Sequence, residues 1–158
     1  LVRRLCPECR ETFTTEAGEM KLITKTFHLD GDGIMKQIHE LEEQALAGGI
    51  GKPSPNKEKT PNTGELSTSG SGVERLWRAH RDGCTACNHT GYKGRVGIYE
   101  VLHNSDKIQR LIIGNSTSEA LQSAAIDEGM LTMQLDGFIK SLRGETSIEE
   151  ILRVTTEE

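Results

Sequence analysis

Apolar residues recur at helical spacing through the last third of the chain. Ile108, Leu111 and Ile112 form one stripe and Leu121, Ala124 and Ala125 a second; Leu135, Phe138 and Ile139 form a third, and Ile148, Ile151 and Leu152 a fourth. Each set places three side chains at i, i+3 and i+4, one above the other on a helix face. Ser116-x-x-Glu119 and Thr146-x-x-Glu149 have the form of capping boxes, in which side chains bind the free amides of a first turn. Gly114, Gly129 and Gly144 stand where these helices should stop. Met130 and Met133 read as gap-filling core or interface residues.

Earlier in the chain the pattern changes. Residues Met20 to Leu29, rich in Thr, Ile, Leu and Phe, read as a strand. Asp30-Gly-Asp-Gly33 reads as a turn. It is not a calcium loop, because Leu41 stands where such a loop needs its bidentate glutamate. Ile34, Ile38, Leu41 and Ala45 then predict a helix of about 12 residues. Residues 48–72 hold three of the four prolines and six of the 17 glycines, with almost nothing apolar to bury. Such a segment cannot offset its ordering entropy and reads as a flexible surface loop. Val73, Leu76 and Trp77 predict a short helix, Asn88 to Gly94 a glycine-punctuated turn, and Arg95 to Leu102 a strand in which Gly97 marks a bulge or close backbone approach.

The expected fold is mostly α, with a small zinc-bound, β-containing subdomain and a terminal helical bundle. Residues 1–102 would hold the first, including the 48–72 insertion, and residues 103–158 the second.

Composition narrows the function classes. The chain has 158 residues, 34% hydrophobic and 27% charged, enough for one ordinary domain or two small ones. A net charge of −5 and scattered aromatics argue against nucleic-acid binding. No apolar run approaches the roughly 18 residues of a membrane span, so membrane insertion is not expected. There is no phosphate loop of the Gly-x-x-x-x-Gly-Lys-Ser/Thr form and no Gly-x-Gly-x-x-Gly. Nothing in the spacing of Ser, His, Asp or Cys suggests a catalytic set. The chain begins Leu-Val-Arg-Arg rather than with Met, and reads as cut from something longer.

The cysteines carry the chemistry. All four lie in two pairs of equal spacing, Cys6-Pro-Glu-Cys9 and Cys84-Thr-Ala-Cys87. Each Cys-x-x-Cys turn brings two thiolates to one side of a backbone knuckle. Two facing knuckles offer four sulfurs to a structural Zn²⁺. A redox role normally uses one such pair near a βαβ pattern, which is lacking here. Structural disulfides suit secreted, cysteine-dense chains, and no export signal is present. Reduced thiols in turn suggest the cytoplasm. Seventy-four residues separate Cys9 from Cys84, against roughly 15–20 in common two-pair modules. Closing that loop costs about 4 kcal/mol plus a constant, whereas structural zinc contributes about 10–16 kcal/mol. Four thiolates on Zn²⁺ leave a formal charge of −2. Arg3, Arg4 and Arg10 flank the first knuckle and Arg78, Arg81 and Lys93 the second. They read either as groups that offset this charge or as ordinary solvated cations. His80 and His89 read as surface residues rather than ligands.

With these motifs in view, the chain resembles a known family. Leu-Val-Arg-Arg-Leu-Cys-Pro-Glu-Cys9, the eighteen-residue run Gly83 to Glu100, Gly129-Met130, Asp136-Gly137 and the closing Gly144-Glu-Thr-Ser-Ile-Glu-Glu-Ile-Leu-Arg-Val-Thr155 are similar to the C-terminal region of the secretion ATPases. These are the type II secretion protein E and type IV pilus assembly motors. The resemblance covers residues 1–18 and 73–155; the segment between is longer than the family leads one to expect.

The resemblance implies a cytoplasmic, homo-hexameric ATPase with a RecA-like core. ATP and Mg²⁺ would bind in an upstream core. Hydrolysis would drive pilin or pseudopilin assembly through an inner-membrane platform protein. The family's tetracysteine motif maps onto Cys6, Cys9, Cys84 and Cys87, while no ATP-contacting residue maps onto this sequence. The alternative is an independent zinc-ribbon interaction module.

Overall fold

In a computed structural model, which describes residues 1–31, 33–47, 67–69 and 72–155, the polypeptide forms helices joined by short antiparallel ladders. The chain order is β1 (Val2–Leu5), β2 (Glu11–Phe13), α1 (Ala17–Thr26), α2 (Ile34–Ala47), β3 (Thr68–Ser69), β4 (Gly72–Val73), β5 (Leu76–Arg78), a 3₁₀ turn at Thr85–Cys87, β6 (Tyr92–Val96), α3 (Asp106–Ile113), α4 (Ser118–Asp127), α5 (Met133–Leu142) and α6 (Ile148–Thr155). The ladders are β1–β6, β2–β5 and β3–β4, each of two strands. In β1–β6, Val2 faces Val96 and Arg3 faces Arg95. A one-residue irregularity then puts Leu5 opposite Tyr92.

The four stripes of the last third form α3 to α6 as expected. They pack in two pairs. Ile108, Ala124 and Ala125 make a small core between α3 and α4, filled out by Leu111, Leu121 and Met130. Met133, by contrast, is 39% exposed. Helices α5 and α6 contribute Phe138, Ile139, Leu142 and Ile151 to a larger core shared with Phe27, Leu29, Ile38 and Leu76. Phe27 and Phe138 meet at its centre with ring centroids 5.1 Å apart and tilted, a favoured aromatic geometry.

Several expected elements differ. Met20 to Leu29 is not a strand: residues 17–26 form α1. Met20, Ile23, Thr24 and Phe27 are its inward positions, an i, i+3, i+4, i+7 pattern that packing enforces over the β preference of Ile and Thr. Val73, Leu76 and Trp77 do not form a helix. They lie in β4 and β5, where Leu76 pairs with Phe13 and Trp77 with Thr12, partners distant in sequence that no local pattern discloses.

The strand expected at Arg95–Leu102 starts and ends earlier, at Tyr92–Val96. Beyond it, backbone groups bond to side chains instead of a ladder. Lys140 Nζ donates to the Gly97 carbonyl at 2.9 Å, and the Tyr99 N–H donates to Asp136 at 2.8 Å. Of the expected 48–72 loop, residues 48–66 and 70–71 lie outside the described residues. Ser67 and Thr68 are buried, and Thr68 opens β3. The Glu42 carboxylate, itself buried on α2, accepts from both of their N–H groups at 2.9 and 3.1 Å.

The helix starts differ from both expected capping boxes. Thr117, not Ser116, caps α4 by accepting from the Ala120 N–H. Thr146 donates its hydroxyl to the Arg3 carbonyl, and α6 begins at Ile148.

Candidate metal centre

Each cysteine pair sits on a turn built by its own backbone. The Cys9 and Arg10 N–H groups both bond to the Cys6 carbonyl, at 3.3 and 2.9 Å; the Cys87 and His89 N–H groups bond to that of Cys84, at 3.2 and 2.9 Å. The Cys6 N–H donates to the Gly91 carbonyl at 2.9 Å and so joins the two knuckles directly. Gly83 opens the second knuckle with φ +56°, and a Cβ there would lie 2.5 Å from the His89 carbonyl carbon. Only glycine fits such a position, for both conformational and steric reasons.

The fold thereby brings all four predicted cysteines together. Their sulfurs all lie within 4.8 Å of one another, with Cys6 and Cys87 buried and Cys9 and Cys84 partly exposed. The Sγ separations are 3.8 Å for Cys6–Cys84, 3.8 Å for Cys9–Cys87 and 3.7 Å for Cys84–Cys87. No disulfide forms among them. A tetrahedron of sulfurs about 2.3 Å from a zinc ion has edges of about 3.8 Å. The donor set and its spacing therefore fit a four-coordinate thiophilic cation.

The electrostatics make the same point. Burial pushes the Cys6 and Cys9 thiols up from their ordinary range, and neighbouring sulfurs push Cys9 further. Burial also works against ionisation of Cys87. The N–H groups of Cys84 and Gly91, both 3.2 Å from its sulfur, outweigh that and bring it down to about 6, aided by the Cys84 and Cys9 thiols. The fold alone favours the Cys87 thiolate, whereas ionising Cys6 and Cys9 calls for a cation beside them.

His80 and His89 point their ring nitrogens elsewhere. His80 Nδ1 accepts from the Asp82 N–H and His89 Nδ1 donates to the Asp82 carbonyl, each at 3.2 Å. They are not part of the cluster.

The turn between α5 and α6 is bound to the first knuckle. The Leu5 N–H donates to the Glu145 carbonyl at 3.0 Å, Arg10 Nη1 donates to the Gly144 carbonyl at 2.5 Å, and Trp77 Nε1 donates to the Leu142 carbonyl at 3.1 Å. The Arg10 guanidinium lies 4.6 Å from the centre of the Trp77 ring. Sequence reasoning placed Arg10 among six flanking cations and did not anticipate its contact with Trp77. It also missed Glu150, whose buried carboxylate receives Arg3 and Arg153. An acidic residue in a helix first turn reads as a solvated complement to the helix dipole, so nothing local flagged it.

Comparison with known proteins identifies the family. A model of the family described as "Type II/IV secretion system protein" matches residues 1–153. The type II secretion system ATPase E of Vibrio cholerae is 30% identical over 157 residues, 99% of this chain and 22% of that protein. The type IV pilus assembly ATPase PilB of Myxococcus xanthus is 37% identical over 152 residues, 96% of this chain and 19% of that protein. The type II secretion system protein HxcR of Pseudomonas aeruginosa is 47% identical over 79 residues, 50% of this chain and 16% of that protein. The chain thus spans about a fifth of the length of these relatives. It belongs to the type II/IV secretion system protein family.

Proposed function

We propose that this chain is the metal-clamped part of a cytoplasmic motor ATPase that powers pilin or pseudopilin assembly. Cys6, Cys9, Cys84 and Cys87 hold one structural Zn²⁺. Residues 1–102 form the metal-bearing part and residues 103–158 the helical part. The observation that carries this reading is the set of four reduced sulfurs, all within 4.8 Å of one another and three of their six separations 3.7–3.8 Å, in a chain matched by the family over residues 1–153. No phosphate loop occurs in the sequence, so ATP and Mg²⁺ are assigned to another part of the motor. The chain contributes no catalysis of its own.

Bound zinc would fix the geometry of residues 1–13 against residues 84–96. It would add a rigid joint to segments already paired through the β1–β6 ladder and the Cys6–Gly91 bond. We assign that joint the task of passing ATP-driven motion to neighbouring subunits of a hexamer and to an inner-membrane platform protein. The names of the similar proteins support the motor; the bonds from the first knuckle to the α5–α6 turn support the joint.

Two measurements test the reading. Metal analysis of the purified chain should return one zinc per chain, and chelation should lower its melting temperature. A chain that stays metal-free and folded with four reduced thiols would sink it. In the full motor, Cys84→Ser should abolish pilus or pseudopilus assembly while nucleotide binding persists. Loss of nucleotide binding would contradict a purely mechanical role.

A further inference from the structure

Six cations flank the two knuckles, and the fold gives them different fates. Arg3 is bound to Glu150 and Arg78 to Glu11. Arg4, Arg81 and Lys93 are exposed, where water and salt screen them. Arg10 alone of the six is drawn inward with no carboxylate in ion-pair contact among the described residues. Its Nη1 donates to the Gly144 carbonyl, its face lies on Trp77, and its Nε is buried with no hydrogen-bond partner.

A guanidinium in this position needs negative charge nearby. The C-terminal end of α5 supplies part of it, since a helix end carries roughly half an elementary charge. The ring face of Trp77 adds a weaker attraction. Neither amounts to a counter-ion. The Arg10 N–H is bonded to the Cys6 carbonyl, so the backbone of this residue is part of the ligand turn itself. Burial and then Arg4 work against its charge, and Glu145 and Cys6 work for it more weakly.

Resting on the zinc reading above, we infer that Arg10 is the positioning residue that neutralises the loaded tetracysteine centre and ties it to the α5–α6 turn. Four thiolates with one divalent cation carry a formal −2, and Arg10 is the half-buried cation placed to offset it. Partners of this kind typically govern ten- to hundredfold in metal affinity. Because Arg10 also stacks on Trp77, the chain's single tryptophan, metal loading is reported at the α5–α6 turn.

The test is a Zn²⁺ competition titration against a chromophoric chelator, on the 158-residue chain and its variants, with Co²⁺ as a spectroscopic probe of the site. Arg10→Gln should weaken Zn²⁺ binding at least tenfold while the Co²⁺ spectrum remains that of a tetrahedral four-sulfur site. Arg10→Lys, which keeps the charge, should recover most of the loss. Arg81→Gln, removing an exposed cation beside the second knuckle, should change affinity by less than twofold. Equal affinities for wild type and Arg10→Gln would overturn the assignment. So would an Arg10→Lys as weak as Arg10→Gln, or an Arg81→Gln loss as large. If Arg10→Gln does not fold, Trp77 emission in the wild type decides: it should change in step with uptake of one Zn²⁺, and a flat trace during stoichiometric uptake overturns the link. Failure of the wild type to bind Zn²⁺ or Co²⁺ at all would instead refute the metal centre itself.

Discussion

Arg3 on β1 and Glu150 on α6, 147 residues apart in sequence, are joined by both side-chain and main-chain bonds. Arg3 Nε donates to Glu150 Oε1 at 2.9 Å, and the Arg3 backbone N–H donates to Oε2 at 3.0 Å. Arg153 adds a second guanidinium, with Nη2 2.8 Å from Oε2. The carboxylate is buried while both arginines are about half exposed. It therefore fastens the strand that enters the first knuckle to the last helix.

This relationship gives stability a defined pH dependence. Burial raises the Glu150 pKa, but the hydrogen bonds from Arg3 and Arg153 outweigh it and hold the group near about 2 against an ordinary 4.5. A depressed carboxylate stabilises the fold above its unfolded pKa and loses that contribution as pH falls through the folded one. The contribution is full above about 4.5 and fades toward 2. Its size is about 2–3 kcal/mol after allowance for the solvent exposure of both arginines. Denaturant unfolding of wild type and Glu150→Gln should show that gap at pH 6 and its closure by pH 2. A gap of constant size across that range would contradict the assignment.

Gly144→Ala should destabilise the chain by more than the conformational term alone. At φ +69° an L-residue costs about 1 kcal/mol. An added Cβ would also stand 2.8 Å from Trp77 Cδ2 and 2.9 Å from Arg10 Nη1, and overpacking adds about 1–3 kcal/mol. Thermal melts of the variant should show a loss of roughly 2–4 kcal/mol, together with a shift in tryptophan emission. A variant as stable as wild type would mean that the α5–α6 turn does not hold Arg10 and Trp77 as described.

Glu42 makes a third case. It accepts from the N–H groups of Ser67 and Thr68 and from the Thr68 hydroxyl, while Ser67 Oγ donates to the Leu142 carbonyl at 2.7 Å. Removing the carboxylate leaves two buried backbone donors unpaired, at about 1–3 kcal/mol each. Glu42→Ala should therefore cost about 2–6 kcal/mol, and amide exchange at Ser67 and Thr68 should accelerate. Unchanged exchange at those two amides would refute the contact.

How much of this was legible beforehand depends on whether the signal is local. The α3–α6 stripes were readable because each buries one face at period 3.6. The cysteine cluster was readable because Cys-x-x-Cys specifies its own turn. Leu76 and Trp77 were misassigned because their strand exists only through Phe13 and Thr12, more than sixty residues earlier. Met20–Leu29 was misassigned because composition favoured β while the spacing of Met20, Ile23 and Phe27 favoured a helix, and spacing prevailed once Phe138 supplied a face to cover. Ser67, Glu42 and Glu150 were invisible because a buried polar residue looks like a solvated one until its distant partner is known.

The two cores invite a final prediction. Ile108 and Ile151 are both 0% exposed, but Ile108 packs in the α3–α4 pair and Ile151 in the larger core. Truncating either to Ala removes a similar volume, and each loss falls in the range of about 2–5 kcal/mol. The consequences should differ in extent. Ile151→Ala loosens contacts shared by α1, α2, α5, α6 and β5, so its loss should appear in global unfolding and in exchange across all of them. Ile108→Ala should raise exchange in residues 106–127 far more than in α5 and α6, because the two sets of buried side chains are separate. Ile113, 81% exposed, serves as the control: its truncation should change stability by less than about 0.5 kcal/mol. If Ile108→Ala instead accelerates exchange equally in all helices, the α3–α4 pair is not a separately packed unit and the division into two cores fails.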